Sequence, residues 1–271
     1  QKVFVDQIVK QKVNELLQEE DEEGKARVLA CQEIGAQDWI SGLPSLSYKQ
    51  FSDSQWRMLV RLRLGWKVTR DPLPSRCPLC EQVMESFPHH AFSCNYVDMK
   101  RERDVRHNHI RDSLVSGFSF WGLPVDKESR ILTSQNLRGD LEIPQPSGPL
   151  VIDTSVINPS VVWTQQNVRP TAATGVREHE KCRKYVDVCS EAAKGFLPFV
   201  LQNMGGIGRQ GLNFLADLKN RPACLHVYQP AKFVFSMRQG LVCRLMKSNS
   251  NIVLRWIQLV LPLCQGGCCL L

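Results

Sequence analysis

Two features are missing from this sequence of 271 residues, and each absence excludes a class of protein. It has no uninterrupted run of about 18 apolar residues, the length that a membrane-spanning helix needs. Its first residues, Gln1-Lys2-Val3, lack an initiator Met, and neither the apolar stretch nor the small-residue cleavage site of a secretory signal follows them. We therefore expect an intracellular protein, nuclear or cytoplasmic and without a membrane partner, that begins at a fragment boundary or a processed end.

The composition is that of a globular protein with a mild excess of positive charge. Hydrophobic residues make up 43% of the chain and charged residues 23%, so a sizeable core can form. The net charge of +7 indicates an acidic partner only weakly. The length allows one large domain or two small ones.

The spacing of apolar residues predicts helices first and then an α/β unit. The helices are predicted at 3–17, 25–41, from Ser52 or Ser54 to Gly65, 97–117, 172–194 and about 207–219, and the strands at 141–143, 150–157 and 196–201. Residues 250–264 fit either a helix or a strand. We divide the chain into a helical segment (1–70), a zinc knuckle with a basic helix (71–117), an α/β core (118–222) and a C-terminal tail of uncertain structure (223–271).

The cysteines give the strongest local signal. They number 11, and without a secretory signal a disulfide framework is disfavoured. Cys77 and Cys80 form a Cys-x2-Cys pair, and His89-His90 and Cys94 follow. Three thiolates and one imidazole suit tetrahedral Zn²⁺, and either histidine has an acceptable spacing. Because four protein ligands leave no open position, we expect this Zn²⁺ to be structural and to order a loop that has no core of its own.

Basic residues flank this knuckle. Between residues 57 and 111 there are 11 Lys and Arg against six Asp and Glu. Alone, this charge would fit a solvated helix face, but beside a zinc knuckle it favours nucleic acid as partner. We expect DNA to bind through its phosphates, contacted by Arg101, Arg103, Arg106 and Arg111.

Two aspartates predict a second, catalytic metal site. Asp140 opens one strand, and Asp153 lies inside the next one, among apolar residues where an isolated charge is costly. A tight turn would bring the two carboxylates together as an oxygen site for Mg²⁺. Lys181 and Lys184 follow on one helix face, where a lysine could stabilise the charge of a reacting phosphate. The alternative is that Asp153 is hydrogen-bonded for structural reasons or lies on a solvent face.

A series of short motifs is similar to a known family. The chain resembles the C-terminal region of polyproteins of non-LTR (LINE-type) retrotransposons, in which a zinc knuckle precedes a restriction-like endonuclease. The motifs, which match in order and spacing over roughly residues 25–220, are Trp39-Ile40-Ser41-Gly42-Leu43-Pro44, Leu62-Arg63-Leu64-Gly65, Cys77-Pro78-Leu79-Cys80, His90-Ala91-Phe92-Ser93-Cys94, Arg106-His107-Asn108, Arg138-Gly139-Asp140, Val151-Ile152-Asp153, Lys184-Tyr185, Phe196-Leu197-Pro198 and Gly205-Gly206.

The resemblance implies a restriction-endonuclease-like PD-(D/E)xK core and assigns roles to residues. It favours His90 over His89 as the Zn²⁺ ligand and implies that Asp140 and Asp153 bind the catalytic Mg²⁺. The family pattern would place a lysine at position 155, where this chain has Ser155. Related nucleases supply that lysine from the next helix, which makes Lys184 the first candidate and Lys181 the second.

The resemblance also bears on partners and on the protein's role. It implies that the basic motif Arg106-His107-Asn108 meets the DNA backbone. The chain contains no Tyr-x-Asp-Asp polymerase motif, so it cannot copy RNA by itself. We therefore expect a retroelement-derived, metal-dependent endonuclease region that nicks target DNA for reverse transcription.

Two further hypotheses stay open at the level of the sequence. One is a zinc-dependent module that binds DNA or RNA without cutting it, and the other is a degenerate remnant without catalytic activity. The last four residues, Cys268-Cys269-Leu270-Leu271, fit a prenylation box, but an arbitrary tail is the better interpretation because no strongly polybasic segment precedes them.

Overall fold

The chain folds into helices packed around a small sheet, in a computed structural model that describes residues 2–41, 49–69, 73–84, 89–131, 137–166, 169, 172–220 and 229–260. In chain order the elements are α1 (Lys2–Glu19), α2 (Glu22–Ala30), α3 (Asp53–Leu64), α4 (His89–Ser93), α5 (Val97–Phe120), β1 (Asp126–Lys127), β2 (Leu141–Ile143), β3 (Leu150–Ile157), α6 (Pro159–Gln166), α7 (Ala173–Glu191), β4 (Gly195–Gln202), α8 (Arg209–Leu218) and α9 (Pro230–Val260). None of the described helices is long and apolar enough to span a membrane.

Helix α3 begins and ends where its sequence predicts. Ser52 is the N-cap, and its hydroxyl accepts from the Gln55 amide at 3.3 Å while the Gln55 side chain accepts from the Ser52 amide at 3.0 Å. This reciprocal capping box satisfies two backbone donors that the first turn would leave unpaired. Gly65 ends the helix in the left-handed conformation, at φ 69°.

The helix predicted over 25–41 is shorter than expected. Helix α2 ends at Ala30, and residues 31–41 form turns. Gly35 has a φ of 98°, and a Cβ at this position would lie 2.8 Å from the carbonyl oxygen of Gly205. A left-handed residue packed this closely against a distant loop cannot lie inside a right-handed helix, so one continuous helix over 25–41 is excluded.

The sheet is mixed, in the order β1-β2-β3-β4. Strands β2 and β3 pair antiparallel, with Leu141 opposite Ile152, and β3 and β4 pair parallel, with Asp153 opposite Pro198. Because parallel neighbours need a crossover, α6 and α7 connect β3 to β4. The mixed α/β class is therefore confirmed.

Helices cover both faces of this sheet. Val151 points to one face, where it packs with Tyr185 and Cys189 of α7. Ile152 points to the other and belongs to the main core, to which α5, α8 and α9 contribute. Alternation along β3 thus gives successive side chains different neighbours.

Helix α9 occupies most of the segment predicted as a tail of uncertain structure. Its buried residues, Trp256 among them, belong to the same core as residues of α3, α4, α5 and β4. The predicted segments therefore share one hydrophobic core among the described residues. Residues 261–271, which include the last four residues Cys268-Cys269-Leu270-Leu271, lie outside the described residues, as do residues 42–48.

Candidate functional site

Four side chains converge on a point that could hold a metal ion. One ligand atom from each of Cys77, Cys80, His90 and Cys94 lies within 4.8 Å of all the others. The Sγ atoms of Cys77 and Cys94 are 3.9 Å apart, and Cys80 Sγ lies 3.4 Å from His90 Nε2. Zn–S bonds of ~2.3 Å imply tetrahedral edges of about 3.8 Å, so this spacing is compatible with zinc.

Local backbone geometry places these ligands. Between Cys77 and Gln82 the chain makes a tight turn, in which the Glu81 amide donates to the Cys77 carbonyl at 2.7 Å and the Cys77 amide to the Gln82 carbonyl at 2.9 Å. Helix α4 carries His90, and the Cys94 amide donates to the His90 carbonyl at 2.8 Å. Burial raises the pKa of the Cys94 thiol to about 12. A cation must therefore displace this proton before the sulfur can act as a thiolate ligand.

The two adjacent histidines have different surroundings. His90 faces the cysteines, as the resemblance implied, and its ring meets Trp256 edge-on with centroids 6.2 Å apart. His89 is buried elsewhere, with its Nε2 atom 3.1 Å from Glu23 Oε1. Burial, together with the charge of Arg27, lowers the pKa of His89 to about 4. Only His90 belongs to the converging group.

The two aspartates lie at one end of the β2–β3 pair. Leu141 and Ile152 form the last registered pair, and Asp140 and Asp153 are the next residues along the chain at that end. Asp140 follows Gly139, where a Cβ would lie 2.2 Å from Val151 Cγ1. Glycine is thus required for the chain to approach β3 this closely and to deliver Asp140 to the strand end.

Asp140 is held by donors from two elements. Its Oδ2 atom accepts from both the backbone amide and the hydroxyl of Thr154, each at 2.6 Å, and His107 Nε2 of α5 lies 3.0 Å from its Oδ1. Burial opposes ionisation, but the hydrogen bonds from His107 and Thr154 outweigh it and lower the pKa of Asp140. In turn, the bond to Asp140 raises the pKa of His107.

Asp153 faces α7. The Lys181 ammonium donates to Asp153 Oδ2, and both side chains are mostly buried. Burial raises the pKa of Asp153, and the nearby charge of Asp140 raises it further, against the effect of Lys181. The two carboxylates therefore influence each other although they contact different helices.

The order of the two candidate lysines differs from the expected one. Lys184, the first candidate, has its ammonium over the ring of Tyr185, 4.8 Å from the centroid. Lys181, the second candidate, forms the ion pair with Asp153. The side chains at 153 and 155 share a face of β3, and Ser155 is buried there. The structure thus brings a helix-borne lysine to the carboxylate, and that lysine is Lys181.

The predicted DNA-contacting residues on α5 have unequal access to solvent. Arg106 is buried, donates to Asn249 Oδ1 at 2.9 Å and has its pKa lowered by burial to about 10. Its prediction as a surface contact is therefore corrected, because its guanidinium belongs to the interior. Arg103 donates to the Cys94 carbonyl at 2.8 Å, and Arg111 pairs with Glu128 at 2.5 Å. Arg101 and Asn108 are exposed.

Two contributors to the carboxylate site could not be found from the sequence. His107 was expected at the DNA backbone, and Thr154 was only one of several β-branched residues in its strand. Both reach Asp140 through contacts between residues that are 14 and 33 positions apart. The local pattern offers no signal for such contacts beyond the polar character of the two residues.

Comparisons with known proteins add no family to these observations. Neither a scan against models of protein families nor a search of curated proteins finds a match to this chain. The retroelement resemblance therefore remains an expectation from its motifs.

Proposed function

We propose that this chain is a Mg²⁺-dependent DNA endonuclease region of non-LTR retroelement type. The observation that carries the proposal is Asp153, a buried carboxylate inside β3 that pairs with Lys181 and lies at the same end of the β2–β3 pair as Asp140. A charged pair is costly to bury, and its position beside a second carboxylate favours a functional role.

The donor set fits a hard divalent cation. Asp140 and Asp153 present carboxylate oxygens, the ligand type that Mg²⁺ takes from proteins. Asp140 Oδ2 accepts two hydrogen bonds from Thr154, whereas Oδ1 is bonded to His107 alone, so a second lone pair of Oδ1 stays open to coordination. When bound, Mg²⁺ would supply an activated water and a Lewis acid for the phosphodiester.

The protein's own residues would orient the carboxylate and contact the phosphates of the DNA. Thr154 fixes the direction of Asp140 through two short hydrogen bonds. Lys181 would turn from Asp153 towards a non-bridging oxygen of the scissile phosphate, where its charge stabilises the transition state. The ammonium of Lys184, held over Tyr185, would contact a neighbouring phosphate.

The cysteine-histidine group would hold Zn²⁺ as a structural ion. Its four protein ligands leave no position for substrate, and Cys77 and Cys94 are buried in the main core. The exposed side chains of Arg101 and Asn108 lie on α5, which begins three residues after Cys94. We propose that this helix contributes phosphate contacts through them.

Cleavage of supercoiled plasmid DNA with Mg²⁺ tests the proposal. Asp140→Asn and Asp153→Asn should each lower the nicking rate by ~100-fold or more, because each removes a charged ligand. Asp187→Asn is the matched control, since Asp187 is an exposed aspartate on α7. Equal nicking by all three variants would contradict the proposal.

The second candidate function is nucleic-acid binding without cleavage. Its support is that Asp140 and Asp153 already have protein partners, a closed network that a purely structural site would also show. DNA binding is measured by fluorescence anisotropy with Ca²⁺ in place of Mg²⁺. Tight, salt-sensitive binding by a wild-type protein that does not nick DNA would establish this alternative.

A further inference from the structure

We propose that His107 is a positioning residue that holds the carboxylate of Asp140 in its metal-binding orientation, an inference that rests on the proposed nuclease function. The carboxylate receives hydrogen bonds on both oxygens, from Thr154 on one side and from His107 on the other. Thr154 belongs to the neighbouring strand, whereas His107 comes from α5 on one face of the sheet. Without His107, Thr154 alone would restrain rotation of the Asp140 carboxylate.

The geometry assigns the donor. His107 Nε2 lies 3.0 Å from Asp140 Oδ1, and because an ionised carboxylate only accepts, Nε2 carries the proton of this bond. Partners of this kind orient a ligand and raise its affinity for metal, and their loss typically costs about 10–100-fold in metal affinity or activity.

Helix α5 is itself fixed by two arginines that precede His107. Arg103, one turn earlier, donates to the carbonyl of Cys94 at 2.8 Å and so ties α5 to the cysteine-histidine group. Arg106 donates to Asn249 of α9, whose amide in turn donates to the Asn203 carbonyl after β4 at 2.6 Å. These contacts leave His107 little freedom to shift along the sheet.

A role in packing does not account for His107. More than a third of its side chain is exposed, 37%, and its neighbour Arg106 fills the adjacent buried position. Replacing His107 should therefore leave the fold intact, so its effect on Asp140 can be measured separately.

The test measures metal binding as well as cleavage. Mn²⁺ is titrated into zinc-loaded protein, and free Mn²⁺ is followed by its electron paramagnetic resonance signal. His107→Ala should raise the dissociation constant of the site by about 10–100-fold. His107→Gln should restore most of the affinity, because its side-chain amide places a donor near the position of Nε2. His179→Ala, which removes an exposed histidine of α7, should bind as the wild type does.

The outcomes separate this inference from the proposed function. The proposed function requires that the wild type binds Mn²⁺ at a site that is lost in Asp153→Asn. If no such site is found, the proposed function fails and the inference fails with it. If that site exists but His107→Ala binds Mn²⁺ like the wild type, only the inference is overturned. Unchanged Mn²⁺ affinity together with slower cleavage would also overturn it, since His107 would then act on the substrate.

Discussion

Lys181 and Lys184 lie one helical turn apart on α7, and their different contacts indicate different roles. Lys181 pairs with the buried Asp153 and lies 5.8 Å from the centroid of the Tyr185 ring, whereas Lys184 lies closer to that ring, at 4.8 Å. The sequence narrowed the choice to these two residues, since both lie on one helix face. It could not rank them, because the rotation of α7 relative to β3 is set by tertiary packing of Tyr185 and Cys189.

Separate replacement of the two lysines tests their roles. Lys181→Ala should lower the rate constant for plasmid nicking by about 100-fold, because it removes a charge at the reacting phosphate. Lys184→Ala should lower DNA affinity and leave the rate constant at saturating protein within a few-fold of wild type. Single-turnover kinetics separates the two effects. A larger rate loss in Lys184→Ala than in Lys181→Ala would reverse the assignment.

Other residues show how far local patterns reach. Cys77, Cys80 and Cys94 were identifiable because ligand spacing in a metal site is a short-range property. Arg106 was misplaced because a helical charge run does not show which arginine faces the interior. Its hydrogen-bond partner, Asn249, lies 143 positions away in the sequence, so the residues near Arg106 do not indicate this contact.

Among the helices and strands, those with local start and stop signals were predicted well. Helix α3 has a capping box and a C-terminal glycine, and β2 and β3 flank a proline-rich turn. The turns over 31–41 and the identity of α9 were missed because both depend on packing against distant residues. Gly35 meets Gly205, and α9 lies against α3, α4, α5 and α8.

A contact between α7 and α8 offers a prediction at this scale. Glu178 of α7 is buried, and its Oε1 atom accepts from the Gln210 amide at the start of α8, at 2.9 Å. Gly208 makes room for it, because a Cβ there would lie 2.3 Å from this oxygen. Burial raises the pKa of Glu178, although the Gln210 amide and Arg209 partly oppose the shift. The Glu178 carboxyl group thus caps α8, but burial makes its ionisation unfavourable.

Two variants of Glu178 separate the cap from the charge. Glu178→Ala should lower the free energy of unfolding by about 1 kcal/mol, the usual value of a lost cap. Glu178→Gln keeps the acceptor and removes the buried charge. Because the pKa of Glu178 in the folded protein lies above the ordinary glutamate value of 4.5, wild-type stability falls relative to Glu178→Gln as pH rises through that folded value.

Urea unfolding at pH 5 and pH 7.5 measures this difference. The advantage of Glu178→Gln over the wild type should be larger at pH 7.5 than at pH 5. An advantage that shrinks as pH rises would mean that the helix α8 N-terminus stabilises the anion more than burial penalises it.

At the scale of the whole molecule, the cysteine-histidine group and the carboxylate site are connected by one helix. Helix α5 begins just after Cys94. Its Arg103 donates a hydrogen bond to the Cys94 carbonyl, and its His107 contacts Asp140. From the sequence, this helix was assigned to the segment 71–117 and the two aspartates to the segment 118–222. In the structure α5 packs against β3, and its His107 reaches Asp140.

On the proposal that the cysteine-histidine group holds Zn²⁺, this connection predicts that loss of the ion impairs the distant carboxylate site. Cys94→Ser should abolish stoichiometric Zn²⁺ binding and lower Tm by about 10 °C, as expected when a few kcal/mol of metal-coupled folding energy is lost from a chain of this size. Amide hydrogens of α5 and of Trp256 in α9 should exchange faster, since both elements pack against the group. Plasmid nicking should fall together with this protection, although no proposed Mg²⁺ ligand has changed.

Cys182→Ser, on α7 and outside the group, is the matched control. Full protection and full nicking in a zinc-free Cys94→Ser protein would show that the two sites are independent.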